Sequence, residues 1–107
     1  MLTHRPVHPG EVLAEELEEA AVSPTELARQ IEVPPNRMSQ IIHGKREVSA
    51  DTALRLGHWF GTGAEFWMNL QTQYDLALAE RADGKQIAKL PKRQGVNRSS
   101  GRERLRA

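Results

Sequence analysis

Two consecutive prolines, Pro34-Pro35, separate a pair of short runs with helical spacing, and this break constrains the fold more than any other feature of the chain. Proline donates no amide hydrogen and pushes the residue before it out of helical geometry, so a turn is required near residues 32–34. On the N-terminal side, Ser23-Pro24-Thr25-Glu26 supplies an N-cap serine, a proline at the first helical position and a glutamate three residues on, the pattern of a capping box. The helix that follows turns Leu27, Ala28 and Ile31 to one side. Beyond the break, a helix is predicted from about residue 35 to 43, with Met38, Ile41 and Ile42 apolar and Gly44 suited to end it in a left-handed conformation. The two short helices, the tight turn and the small Ala28, which lets the helices cross closely, fit a helix-turn-helix. A plain helical hairpin with solvated polar residues fits the spacing as well.

Three further helices complete the pattern. Residues 9–21 place Val12, Leu13, Leu17 and Ala20 at helical spacing, with Pro9 in the first turn. Ser49 caps a helix through Phe60 whose buried stripe is expected to be Ala53, Leu54, Leu56, Gly57 and Phe60. After Gly61 and Gly63, a helix from about residue 64 to 82 gathers Phe66, Trp67, Leu70, Tyr74, Ala77 and Leu78 in one sector, closed by Gly84. Met68 and Leu76 fall outside that sector. The expected fold is all-α: a five-helix bundle containing a helix-turn-helix over residues 1–84, followed by a basic tail over residues 85–107 with at most a short strand at 86–90.

Charge is distributed unevenly along the 107 residues. Residues 1–84 carry seven Lys and Arg against thirteen Asp and Glu, a net of −6, whereas residues 85–107 carry eight against one, a net of +7. Such a tail can lie along polyanions, fold onto the acidic helix bearing Glu11, Glu15, Glu16, Glu18 and Glu19, or stay solvated. The same acidic helix can attract a basic protein. With no cysteine, neither a disulfide nor a thiolate metal site can form, and with no long apolar run a membrane partner is not expected. The cytoplasm is the expected compartment.

Catalysis finds no support. His4, His8, His43 and His58 are scattered without metal-ligand spacing, and capping or surface roles suit them better. No phosphate-cradling glycine loop or paired nucleophile and base is recognisable, so no catalytic residue, metal or cofactor is expected. In a helix-turn-helix, by contrast, the second helix enters the major groove of DNA. Asn36, Arg37, Ser39 and Gln40 then face base edges: Asn and Gln pair bidentately with adenine, and Arg with guanine. Ser23, Thr25, His43, Lys45 and Arg46 flank them as candidate phosphate contacts, which set register without reading sequence.

Residues 25–45 resemble the helix-turn-helix of the phage-repressor-like XRE superfamily. The order and spacing of His8-Pro9-Gly10-Glu11, of residues 50–56, of residues 65–71 and of Tyr74-Asp75-Leu76 are similar to those of the HigA antitoxin family, over about residues 7–80. The resemblance implies an antitoxin that binds palindromic operator DNA as a homodimer, represses its own operon and neutralises a RelE-like messenger-RNA-cleaving toxin. A stand-alone regulator and a protein-binding module with weak DNA contact are the alternatives. Specific binding needs two recognition helices held about 34 Å apart, so a homodimer through the fifth helix is expected, with Met68 and Leu76 as its apolar contacts. Glu32 stands where the family usually has glycine, at a turn position that often needs positive φ; a non-glycine residue there costs about 1 kcal/mol.

Overall fold

The computed structural model describes residues 5–94 and contains, among them, five helices and no strand: α1 Pro9–Ala20, α2 Pro24–Gln30, α3 Arg37–Ile42, α4 Ala50–Phe60 and α5 Ala64–Ala88. Three of these five starts, those of α1, α2 and α4, carry a side-chain cap. At α1 the His8 Nδ1 accepts from the Gly10 N–H at 2.8 Å, while the Glu11 carboxylate accepts from the His8 N–H at 3.2 Å, a reciprocal cap. The Ser23 Oγ accepts from the Glu26 N–H at 3.1 Å, and the Ser49 Oγ from the Thr52 N–H at 3.2 Å. The box expected at α2 is only half formed: the Glu26 carboxylate turns away from the Ser23 amide to accept from Arg29 and Gln30.

One core joins the elements. Leu13 and Leu17 of α1, Leu27 and Ala28 of α2, Met38 and Ile41 of α3, Ala53 and Leu56 of α4 and Trp67 of α5 are buried together, with Ile31 and Val48 from the connections. Helix α3 packs on α1 and on α2, and α4, itself packed on α5, reaches the helix-turn-helix through the side chains of Thr52, Arg55 and Trp59. Gly10 lets α1 approach α3, since a Cβ there would lie 1.9 Å from the Ile41 carbonyl oxygen. Gly44 ends α3 region with φ 73°, as expected.

Four expectations are corrected. Helix α3 starts at Arg37 rather than near residue 35, because Pro34-Pro35 are spent in the turn that the Arg37 N–H closes onto the Pro34 carbonyl at 2.9 Å. Leu54 is 64% exposed, being at the edge of the α4 apolar sector where no element covers it. In α5 only Trp67 and Gln71 are buried; Phe66 and Leu78 are exposed, and Leu70, Tyr74 and Ala77 half-buried. At 1.5 Å per residue, α5 is roughly 37 Å long and outruns the 11-residue α4 it packs on. Finally, α5 passes through Gly84 to Ala88, so the strand expected at 86–90 is replaced by helix and its C-cap. A lone glycine costs a helix only about 1 kcal/mol, and the residues around it propagate the helix.

Candidate nucleic-acid interface

The turn between α2 and α3 sets the angle of α3, and it is held from three sides. Glu32 takes φ 60°, the positive value that the family resemblance implies at this position. The Val33 N–H donates to the Ala28 carbonyl at 3.0 Å. Arg55 of α4 donates through Nη1 to the Ile31 carbonyl at 2.8 Å, while its Nε donates to Asp51 at 2.9 Å. Trp59 donates to the Gln30 Oε1 at 2.8 Å, fixing the end of α2. The backbone groups left open at the end of α2 therefore find partners.

Helix α3 is pinned by Met38 and Ile41, both fully buried. Asn36 caps its start without using its side chain and is exposed; Ser39 and Gln40 are half-buried. Gln40 accepts through Oε1 from the Arg46 Nε at 2.8 Å, bringing a side chain of the type that pairs with adenine beside a cation. The His43 ring sits 2.8 Å from the Ser39 carbonyl through Nδ1, and the Lys45 N–H donates to the Gln40 carbonyl at 2.8 Å. Asn36, His43, Lys45 and Arg46 are all exposed. Ser23 and Thr25 lie exposed at the start of α2, with the Ser23 hydroxyl engaged in its cap.

Arg37, expected to face base edges, has a contact to α4 in this DNA-free structure. It is half-buried, its Nη1 donates to the Thr52 Oγ1 of α4 at 3.3 Å, and its Nε is buried without a hydrogen-bond partner. Met68 and Leu76 stand apart from this surface on α5: Met68 packs half-buried against the core, and Leu76 is 64% exposed. Among the described residues, no group of three or more His, Cys, Asp or Glu could hold a metal ion, and no helix is long and apolar enough to cross a membrane.

Sequence reasoning missed Arg55, Thr52 and Gln71 as supports of this surface. Gln71 left a signal: it is polar in a row, Trp67, Gln71, Tyr74 and Leu78, that is otherwise apolar at helical spacing. Its side chain is buried and accepts from the Val48 N–H at 2.8 Å.

No family model matches the chain. Individual proteins do. It is 46% identical over 76 residues to Virulence-associated protein I of Dichelobacter nodosus, 70% of either chain. A solved structure described as an addiction module antidote protein of a HigA family from Coxiella burnetii is 47% identical, with a TM-score of 0.79 over 84% of this chain and 99% of that one. The Pseudomonas aeruginosa antitoxin HigA, solved with the higBA promoter, gives the same identity, TM-score and coverage. Close agreement of sequence and fold over nearly the full length of these antitoxins, together with the helix-turn-helix they share, places the chain in the HigA family of antitoxins.

Proposed function

We propose that this chain is the antitoxin of a toxin–antitoxin pair: a homodimer that binds operator DNA in its own promoter, represses its operon and neutralises a basic, RelE-like ribonuclease toxin. The observation that carries the reading is the side-chain set of α3 and its following loop, in a chain 47% identical to a HigA antitoxin solved with promoter DNA. Asn36, Ser39 and Gln40 read base edges, and Ser23, Thr25, His43, Lys45 and Arg46 contact phosphates. Arg37 takes a different part, steadying α3 against Thr52. Dimerisation uses α5, where Leu76 is exposed and Met68 lies at the edge of the core. The exposed Glu15, Glu16, Glu18 and Glu19 of α1 suit a basic toxin.

Light scattering of the full chain at micromolar concentration, alone, with its upstream DNA and with the protein encoded beside it, tests this assembly. Expected are a dimer, a dimer on DNA, and a stable complex with the neighbouring protein. A monomer that still binds the DNA specifically would contradict the dimer, and a neighbour that never associates would contradict the antitoxin role.

A further inference from the structure

The loop behind α3 carries Lys45 and Arg46 yet has little backbone support. Lys45 is tied to the Gln40 carbonyl, but among the described residues the amides of Arg46, Glu47 and Val48 donate to no backbone carbonyl. The Val48 N–H instead donates to the Gln71 Oε1 at 2.8 Å, across 23 positions of sequence. Val48 is 2% exposed and Gln71 5%, so water cannot readily replace this bond. The amide of Gln71 has one usable orientation: its Nε2 donates to the Asp75 Oδ1 at 3.0 Å, and a flipped amide would set N–H against N–H and carbonyl oxygen against carboxylate.

From this geometry we infer that Gln71 is a positioning residue for DNA binding: its side chain, oriented by Asp75, fixes the loop that presents Lys45 and Arg46. The inference rests on the operator-binding reading and deepens it, because it makes α5 a support of the DNA-contacting surface as well as the dimerisation helix.

Gln71→Leu removes both hydrogen bonds while keeping apolar bulk. In the full chain, exchange of the Val48 amide should speed at least ten-fold relative to α4 amides. The slope of log affinity against log salt on operator DNA should become shallower by about 0.9 to 1.8, the loss of one or two phosphate contacts. Asp75→Ala, on the exposed flank of α5, should shift both readings less and in the same direction. The exchange Gln71→Glu with Asp75→Asn keeps net charge and both bonds, since the new carboxylate accepts from Val48 and the new amide donates to it; it should restore both readings. A purely structural role would lower Tm and leave the salt slope of the folded variant unchanged. Unaltered Val48 exchange and slope in folded Gln71→Leu, or in Asp75→Ala if the first variant does not fold, would overturn the inference. If the wild-type chain shows no preference for its upstream DNA, the operator reading fails, while Val48 exchange and the salt slope on random DNA still decide the part played by Gln71.

Discussion

At Glu32 the backbone sits at φ 60°, which costs a residue with a Cβ about 1–2 kcal/mol. The turn tolerates this because Arg55 and the Val33 amide hold it in place. Glycine removes the clash and returns roughly 0.5–1 kcal/mol of that gain as extra unfolded-state entropy. Glu32→Gly should therefore stabilise the protein by about 0.5–1 kcal/mol and raise Tm by several degrees in calorimetry; an unchanged or lower Tm would show that the turn stores no strain. His8 supplies a pH dependence. Burial pushes its pKa below the usual value, against the opposing pull of the Glu11 and Asp75 carboxylates, and its Nδ1 must stay unprotonated to accept from Gly10. The Tyr74 ring stands edge-on to it at 4.8 Å. Since the folded pKa lies below the unfolded one, the unfolded chain takes up the proton first. The His8 contribution is complete above about pH 6.5 and erodes as pH falls toward the lowered folded value. Glu11 does not confuse this window: Arg5 and the His8 amide hold its pKa down to about 2, so its contribution fades only below the ordinary carboxylate range. Tm should decline from about pH 6.5 downward, and His8→Asn, which keeps a cap acceptor, should flatten that decline; an equal decline in the variant would assign it elsewhere.

The elements show which features a sequence reveals. The starts of α2 and α4 were legible in Ser23 and Ser49 and the turn in Pro34-Pro35, because each is decided by a few neighbouring residues; the positive φ at Glu32 was implied only by the resemblance to a family that usually has glycine there. What was not legible depends on distant partners. Leu54 has the spacing of a core residue, but spacing does not say whether anything covers it. Gly84 carries the composition of a helix end, yet α5 continues, because helix propagation beyond it outweighs one glycine. The contact of Arg37 with Thr52, 15 residues away in sequence, is not visible in residue type or spacing. The anchoring of Val48 by Gln71 is of the same kind.

Taken whole, the acidic residues 1–84 carry a short, neutral-to-basic stretch: Asn36 at the N-cap of α3, Ser39 and Gln40 on it, and Lys45 and Arg46 behind it. Repulsion from the net −6 of residues 1–84 opposes indiscriminate DNA binding, so the proposed operator reading relies on this surface and on the proposed pairing of two copies. The expected basic tail falls mostly at residues 95–107, outside the described residues. Whether α3 reads an operator is decided by competition gel shifts. The labelled probe is the DNA directly upstream of the chain's own reading frame, challenged with unlabelled specific or random DNA at fixed salt. The wild-type chain should prefer the upstream DNA by at least 10³-fold. Asn36→Ala and Gln40→Ala should each reduce that preference by about 1–3 kcal/mol per subunit while leaving binding to random DNA nearly unchanged. A preference that survives both substitutions undiminished would mean that α3 does not read the operator.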